Sequence, residues 1–251
     1  MQDGETRKAI RLHALRRYGT VEKIWQDDDS WNIHIHRAIC SFVNWASAHI
    51  RGLAHCRILN IGSAGEDYGV LPQNQTHLDI VDRLIKTKPR YVVADAEHLP
   101  FQDGTFQVAL CVGSVLNYCS ALEVITEIDR VLSAGGALIL DFESSTSLEY
   151  VGRAEYNKDV AIVNTFFQDS PERIWVYSLK YILRLLKDKG FCIDRIKRVH
   201  ILSALLLRLG FDGRRAARWG TIDPCASLVP WINKHGSNVI LLCRKTSPEC
   251  R

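Results

Sequence analysis

Residues Tyr91–Glu143 read YVVADAEHLPFQDGTFQVALCVGSVLNYCSALEVITEIDRVLSAGGALILDFE. Three apolar runs within this stretch are typical of buried strands. They are Tyr91–Ala94, Phe106–Val112 and Ala137–Phe142. Between the second and third runs, apolar residues recur at helical spacing over Ala121–Leu132, and Ala134-Gly135-Gly136 predicts the end of that helix. The stretch therefore predicts strand, helix and strand in a right-handed crossover, the unit of a parallel α/β sheet.

The sequence on either side continues the alternation of strands and helices. Predicted strands are Cys56–Gly62, Thr76–Val81, Phe191–Val199 and Ser237–Lys245. Predicted helices are Ser30–Ile50, capped by Ser30, then Ser178–Lys189 and Ile201–Leu209. Residues 1–28 are polar and predict a surface helix followed by a turn. Val160–Phe167 and Arg173–Tyr177 predict a hairpin around Asp169-Ser170-Pro171-Glu172, which we interpret as a cover over a substrate.

Composition excludes several classes of protein. The chain has 251 residues, 47% hydrophobic and 24% charged, with a net charge of +4, which suits one domain and not a disordered chain. Its basic residues are scattered, so solubility explains the charge better than nucleic-acid binding does. Eight cysteines without a C-x-x-C pair favour buried thiols over zinc or disulfides. With no predicted membrane span or secretory leader, we expect a cytoplasmic protein.

A tight turn follows the first predicted strand and marks a candidate binding site. Gly62-Ser63-Ala64-Gly65 allows a close approach of the backbone, and Asp79 lies at the end of the second strand. A carboxylate about 20 residues after a glycine turn can accept hydrogen bonds from both hydroxyls of a ribose. This pattern predicts a nucleotide-like ligand, with Asp82 as the alternative acid.

Two further motifs carry a resemblance to a known family. The chain contains Asp95-Ala96-Glu97-His98-Leu99-Pro100-Phe101 and, later, Arg130-Val131-Leu132-Ser133-Ala134-Gly135-Gly136. In this order they resemble the class I S-adenosylmethionine-dependent methyltransferases, in particular the small-molecule "methyltransferase type 11" branch. The resemblance implies a three-layer α/β sandwich with a seven-stranded, mostly parallel sheet whose last strand is antiparallel. It also implies S-adenosyl-L-methionine as the cofactor.

The family pattern assigns roles to residues of this chain. The glycine turn would lie beside the methionine moiety, Asp79 would bind the ribose, and Asp95-Ala96 would contact the adenine. Val112-Gly113-Ser114 would face the methyl group and the acceptor. The implied cofactor-binding residues are Asn60, Gly62, Ser63, Ala64, Gly65, Asp79, Ile80, Asp95, Ala96, Val112, Gly113 and Ser114.

This sequence departs from the family pattern at four positions. Asn60 replaces the usual acid at the end of the first strand, Ala64 the middle glycine, Glu66 the third glycine and Gln107 an Asp. A working cofactor site remains the favoured interpretation, because the Asn60 amide can still form hydrogen bonds and Gly65 can supply the close approach.

Methyl transfer to an oxygen, nitrogen or carbon of a small metabolite or natural product is the predicted function. The alternatives are an RNA methyltransferase using the arginines at 214–218 and a non-catalytic cofactor-binding subunit. Candidate catalytic residues are His34, His36, Asn117 and Tyr118, and we expect no metal.

Predicted regions are an N-terminal helical cap (1–54), a cofactor-binding core (55–143), an inserted cover (144–178) and the remaining sheet (179–251). We expect the cover and the region of Trp31 and His34 to close over the acceptor. The sequence leaves the acceptor and the oligomeric state open.

Overall fold

A computed structural model describes residues 4–21, 23–26, 28–167, 170–223, 232 and 234–246. One sheet of seven strands forms the centre of the fold. Its strands are β1 (Ile58–Ile61), β2 (Gln75–Asp79), β3 (Tyr91–Val93), β4 (Phe106–Cys111), β5 (Leu132–Glu143), β8 (Phe191–Val199) and β9 (Asn238–Lys245). Two more strands, β6 (Val160–Phe167) and β7 (Ser170–Tyr177), form a separate hairpin.

The order of the strands in the sheet indicates where a ligand would bind. It runs β3-β2-β1-β4-β5-β9-β8, with β1 to β5 parallel and β9 antiparallel to both of its neighbours. The chain therefore leaves β1 toward one side of the sheet and returns to β4 on the other. Ligands of open parallel sheets bind beyond the carboxyl ends of strands at such a switch point. The predicted fold class, including the antiparallel last strand, is confirmed.

Helices cover both faces of this sheet. They are α1 (Gly4–Tyr18), α2 (Ser30–Ala48), α3 (Asp82–Ile85), α4 (Ala121–Val131), α5 (Leu179–Asp188), α6 (Ile201–Arg208) and α7 (Gly213–Arg218). The apolar face of α2 packs on one side of the sheet, while α1, α4 and α5 pack on the other. Strands β1 and β4 are buried along nearly their whole length, as expected for a parallel sheet covered on both faces.

Three boundaries differ from those predicted. Asp29, and not Ser30, caps α2, because its carboxylate accepts the amides of Trp31 and Asn32. Helix α4 ends at Val131, and β5 begins at the next residue. Gly135, at φ +74°, therefore lies inside a strand, where the pairing of β4 with β5 shifts register.

The N-terminal helix is also more buried than predicted. Helix α1 buries Ile10 and Ala14 against the sheet-facing core, so it is part of the packed structure and not a surface helix. The hairpin β6–β7 is present as predicted, but its second strand begins at Ser170, so the expected turn at 169–172 lies partly within β7 and partly outside the described residues.

Helix α4 holds the segment that follows β3. The Arg130 guanidinium donates to the carbonyls of Leu99 and Phe101, and Glu127 accepts the amide of Leu99. Glu127 and Arg130 also pair with each other at 2.8 Å. The two motifs that carried the family resemblance are therefore in direct contact, and one fixes the backbone of the other.

We expect Arg130→Leu to lower the free energy of unfolding by about 2–3 kcal/mol, because it leaves two carbonyls and Glu127 without their charged donor. Urea unfolding of the purified variants measures the change. Arg184→Leu is the matched control, since Arg184 is exposed, pairs with Asp159 and lies over the Tyr181 ring, and exposed ion pairs contribute about 0–1 kcal/mol. Equal effects of the two substitutions would contradict the role given to Arg130.

Candidate functional site

A cavity opens beyond the carboxyl ends of β1, β2, β3 and β4. Each of these strands contributes the residues that directly follow it or end it, as their parallel pairing requires. The residues that line the cavity are Arg11, Ala14, Tyr18, Ile24, Gly62, Ala64, Leu78, Asp79, Ile80, Val81, Leu84, Ala94, Asp95, Ala96, Glu97, Gly113, Val115, Tyr118 and Cys119. The lining is mostly apolar, with carboxylates at Asp79, Asp95 and Glu97. Such a wall suits a flat apolar ring system that also carries hydroxyl or amino donors.

The turn after β1 is held without a crossover helix. Residues 62–74, all of which are described, contain a 3₁₀ turn at Pro72–Asn74 and no α-helix. Side chains of β1 and β2 form hydrogen bonds to its backbone. Asn60 donates to the Glu66 carbonyl at 2.8 Å, and Gln75 donates to the carbonyls of Asp67 and Val70. Asn60 and Gln75 are themselves buried and bonded to each other at 2.7 Å.

His77 extends this support to the glycine turn. Its Nδ1 lies 2.9 Å from the Ser63 hydroxyl and its Nε2 lies 3.0 Å from a carboxylate oxygen of Asp67, which Lys88 also contacts. Burial lowers the pKa of His77, so the ring is neutral at neutral pH. Sequence reasoning missed Gln75 and His77. His77 lies within the predicted strand Thr76–Val81 and Gln75 directly before it, so their only signal was polar residues two apart in and beside a strand.

Asp79 joins the turn to the end of β2. One carboxylate oxygen accepts the amide of Ala64 at 2.9 Å, and the other accepts the amide of Val81 at 3.0 Å. Burial raises the pKa of Asp79, although these amides oppose the change. Ala64 has φ +46°, a left-handed conformation that costs a residue with a side chain about 1 kcal/mol. The bond to Asp79 helps to keep Ala64 in that conformation.

Helix α1 forms the wall opposite the strand ends. Arg11 lies 2.5 Å from the carboxylate of Asp95, and Arg7 lies 2.6 Å from that of Glu97. Because Arg7 and Arg11 are four residues apart, both extend from one face of the helix. Glu97 also accepts the amide of Ser120 at 2.6 Å. The N-terminal segment therefore binds directly to the segment predicted to contact the adenine, which sequence reasoning did not foresee.

Tyr118 lines the cavity and connects it to the hairpin. Its hydroxyl lies 2.7 Å from that of Tyr18 on α1 and donates to Glu172 of β7 at 2.5 Å. Arg17 contacts the other oxygen of Glu172 at 3.4 Å. Burial, followed by the nearby Tyr18 and Glu172, raises the pKa of Tyr118 well above its usual value. Tyr118 is therefore a neutral hydrogen-bond donor at physiological pH and not a proton acceptor.

The two predicted histidines face different surroundings. His36 stacks on Trp25, with ring centroids 4.6 Å apart, and its Nε2 lies 3.5 Å from both Cys40 and Glu66. The contacts with Cys40 and Glu66 raise the pKa of His36 to about 9, so the ring is protonated near neutral pH. A protonated imidazole cannot accept a proton from an acceptor group.

His34 lies beside the buried ring of His200, at a centroid distance of 4.9 Å, and Trp31 stacks on that same ring. Burial lowers the pKa of His34, so this ring is neutral. Neither histidine lines the cavity. The hairpin contacts Tyr118, whereas Trp31 contacts His200, so the predicted joint closure of these two regions stays a prediction.

Two carboxyl groups at the end of β5 were not singled out from the sequence. Asp141 is fully buried and accepts the amide of Ser114 at 2.9 Å, directly after the cavity-lining Gly113. Burial raises the pKa of Asp141 to about 7. Glu143 lies two residues further along the same face of the strand. Burial, followed by the nearby carboxylates of Glu149, Asp141 and Glu172, raises its pKa to about 8.

The structure brings together half of the residues predicted for the site. Those that line the cavity are Gly62, Ala64, Asp79, Ile80, Asp95, Ala96, Gly113 and Tyr118. Those outside its lining are Asn60, Ser63, Gly65, Val112, Ser114, His34, His36 and Asn117. Two of the residues outside the lining help to hold the turn in place. Asn60 donates to the Glu66 carbonyl, and the Ser63 hydroxyl contacts His77. The buried Asn117 amide bonds to the backbone of Glu143 and to the carbonyl of Trp175, which is a structural contact.

Comparison with known proteins identifies the domain. A family model described as a methyltransferase domain matches residues 60–140. An uncharacterized protein of Methanocaldococcus jannaschii is 32% identical over 137 residues, which is 53% of this chain and 51% of that protein. A tRNA U34 carboxymethyltransferase of Wolinella succinogenes is 22% identical over 162 residues, 62% of this chain and 53% of that enzyme. The chain thus matches about half the length of these curated relatives.

Solved structures share the same fold. The 1,6-didemethyltoxoflavin-N1-methyltransferase of Burkholderia thailandensis, solved with its substrate and S-adenosylhomocysteine, superposes with a TM-score of 0.57. The match has 14% sequence identity and covers 98% of this chain and 92% of that enzyme. Residues 60–140 match the methyltransferase domain model, and the chain shares the fold of S-adenosylmethionine-dependent methyltransferases. The resemblance inferred from the sequence is confirmed, and S-adenosyl-L-methionine is the cofactor of this class.

The residues of the cavity fit that cofactor. Apolar side chains, including Ile80, Leu84 and Ala96, can enclose an adenine, and the carboxylates of Asp79 and Asp95 can accept hydrogen bonds from the ribose hydroxyls and the adenine amino group.

Among the described residues, every helix is too short or too polar to span a bilayer.

We expect Asp79→Ala to weaken S-adenosylmethionine binding by about 1–3 kcal/mol, because two ribose hydroxyls would lose their acceptor. Isothermal titration calorimetry measures the change. Asp82→Ala is the control, because Asp82 is exposed at the start of α3 and lies outside the cavity lining. Loss of affinity in Asp82→Ala together with normal affinity in Asp79→Ala would show that the wrong carboxylate was chosen.

Glu143 should make stability depend on pH. Its pKa rises from about 4.5 in the unfolded chain to about 8 in the fold, so the folded protein holds a proton that the unfolded chain releases. The contribution of Glu143 is therefore fully present below pH 4.5 and is lost as the pH rises to about 8. Urea unfolding across this range should show a smaller decline for Glu143→Gln than for the wild type. Parallel pH profiles for the two proteins would contradict the buried, protonated state of Glu143.

Proposed function

We propose that the protein transfers the sulfonium methyl group of S-adenosylmethionine to an oxygen, nitrogen or carbon nucleophile of a small-molecule acceptor. The observation that supports it most is the cavity at the carboxyl ends of β1 to β4, with Asp79, Asp95 and the glycine turn on its wall. The structural relative that methylates 1,6-didemethyltoxoflavin supports a small acceptor, since it shares the fold over nearly the whole chain.

Different residues of this chain would bind different parts of the cofactor. Asp79 would accept the ribose hydroxyls, Asp95 the adenine amino group, and the backbone of residues 62–65 would lie against the methionine part. When bound, the cofactor supplies an activated methyl group, so the protein needs mainly to orient an acceptor in line with it. To free its carboxylate for the adenine, Asp95 must loosen its contact with Arg11.

The acceptor would approach past Gly113. A side chain at this glycine, which has φ +90°, would lie 3.2 Å from the Tyr68 hydroxyl and 3.4 Å from the ring of Trp25. These two aromatic groups therefore pack against Gly113 and leave no room for a side chain there, although neither lines the cavity. The hairpin at 160–177, with Glu172 bonded to Tyr118, would close the opposite side.

If the acceptor must lose a proton, Glu143 and the two predicted histidines are the candidates to accept it, and all three lie outside the cavity lining. The pKa of Glu143 is about 8, so its carboxylate becomes available as the pH rises to 8, and its Ser114 neighbour directly follows Gly113. The pKa of His36 is about 9, so a smaller fraction of His36 can accept a proton near neutral pH. A role for His34 as the base remains the alternative proposal.

Transfer of a labelled methyl group tests the function. The protein is incubated with methyl-tritiated S-adenosylmethionine and a cell extract separated into a small-molecule fraction and an RNA fraction. We expect label in the small-molecule fraction, and mass spectrometry then identifies the product. The matched control is Asp79→Ala, which should reduce labelling in proportion to its weaker cofactor binding, while Asp82→Ala should label normally.

Other outcomes of this experiment would overturn the proposal. Label in RNA would indicate the RNA methyltransferase suggested by the tRNA-modifying relative. Cofactor binding by calorimetry without label in either fraction would indicate a non-catalytic binding protein. If turnover is found, Glu143→Gln should remove the rise in kcat/KM toward pH 8, whereas an unchanged profile would exclude Glu143 as the proton acceptor.

A further inference from the structure

The helix pair α6–α7 exposes large apolar side chains far from the cavity lining. Leu205, Leu209, Phe211 and Trp219 expose 38%, 65%, 49% and 52% of their surface. These four lie within fifteen residues of one another. The other exposed large apolar residues in the described part of the chain are single, apart from the pair Tyr91 and Val93 on β3. Single exposed apolar residues are ordinary, but a group of this kind indicates a contact with a partner.

The backbone itself keeps this apolar tip at the surface. The amide of Phe211 donates to the carbonyl of Leu206, and the amide of Gly210 donates to that of Leu207. With Gly210 at φ +87°, these two bonds form the standard glycine-terminated end of a helix. Leu209 and Phe211, which flank Gly210, are both exposed at this turn. Their exposure is a property of the folded backbone.

The opposite side of each helix is anchored in the protein. Ile201 and Ala204 of α6 and Ala216 and Ala217 of α7 are buried. Helix α6 packs on the turn Leu148–Tyr150, and Arg208 donates to the carbonyl of Val151 at 3.0 Å. The apolar tip thus belongs to a rigid part of the fold with one packed side and one exposed side.

The segment that carries the exposed apolar residues is also basic. Residues 201–219 contain four arginines and one acid, Asp212, a net charge of +3 out of +4 for the whole chain. Exposed Arg215 and Arg218 lie three residues apart on α7, and exposed Trp219 directly follows that helix. Arg215 also pairs with Asp212 at 3.2 Å. An apolar surface next to arginines and a tryptophan matches the interface of an anionic lipid bilayer.

We propose that the α6–α7 pair, residues 201–219, binds the surface of membranes that contain anionic lipids. Leu209 and Phe211 enter the boundary between headgroups and acyl chains, while Arg215 and Arg218 contact lipid phosphates. RNA is the competing polyanion. It would use the arginines and could stack a base on Trp219, but it offers no apolar phase for Leu205 and Leu209. The apolar tip therefore favours the bilayer.

Vesicle flotation with the full-length protein tests the proposal. The probes are vesicles of phosphatidylcholine alone and vesicles of equimolar phosphatidylcholine and phosphatidylglycerol. We expect the protein to float with the anionic vesicles and to stay in solution with the neutral ones. Leu209→Glu combined with Phe211→Glu should lower the partition coefficient about tenfold or more, because two apolar anchors are lost. Arg215→Gln and Arg218→Gln should each lower it about fivefold.

Matched substitutions elsewhere on the surface serve as controls. Leu122→Glu changes a leucine that is 44% exposed on α4, and Arg51→Gln combined with Arg57→Gln removes two exposed arginines. Both should leave flotation unchanged. Unfolding midpoints of all variants should match the wild type, since every changed side chain is exposed.

Three results would overturn the proposal. The first is equal flotation with neutral and anionic vesicles, or with neither. The second is an equal loss in the α6–α7 variants and in the controls, which would reflect charge in general. The third is tight binding to tRNA that depends on Arg215 and Arg218 but not on Leu209, without flotation, which would assign the surface to RNA. None of these depends on methyl transfer, so the outcome is separate from that of the proposed function.

Discussion

The backbone of residues 62–74 must leave β1 and return to β2 without a helix to satisfy its hydrogen bonds. Buried amides and carbonyls that lack partners cost about 1–3 kcal/mol each, so other groups must bind them. Asn60 and Gln75 take this role for Glu66, Asp67 and Val70. Polar side chains in the core thus replace a crossover helix, and the position of the cavity depends on them.

The same constraint explains the unusual turn sequence. Ala64 occupies a left-handed conformation that glycine would adopt at less cost, and its amide is bound by Asp79. Ser63 points away from the cavity toward His77. The residues at three departures from the family pattern, Asn60, Ala64 and Glu66, therefore all take part in the hydrogen bonds that hold the turn.

A second network joins the cofactor side of the cavity to the acceptor side. Arg11 on α1 contacts Asp95, and Tyr18 on the same helix contacts Tyr118, which in turn bonds to Glu172 of the hairpin. A change at the adenine end can therefore reach the hairpin through one rigid helix. Because the Asp95 carboxylate must release Arg11 before it can bind the adenine amino group, cofactor binding would alter the contacts of α1. If the cofactor binds as proposed, this arrangement would couple its binding to the position of the hairpin.

The sequence alone determined the sheet, its covered faces, the turn after β1 and Asp79 at the end of β2. Each of these depends on local patterns: apolar periodicity, a glycine at a strand end, and the spacing of one acid. It also singled out the motifs at Leu99–Phe101 and Arg130 through their family resemblance, although not the hydrogen bonds that join them.

Only the tertiary structure decided which side chains meet across long separations. Arg7 and Glu97 are 90 residues apart, and nothing in the local sequence of a basic helix shows that it will bind two acids beside the cavity. The pKa values of Asp141 and Glu143 likewise depend on what surrounds them, and so do the different states of His34 and His36 on one helix. Burial and charge are properties of the assembled environment, so only packing could distinguish the protonated imidazole from the neutral one.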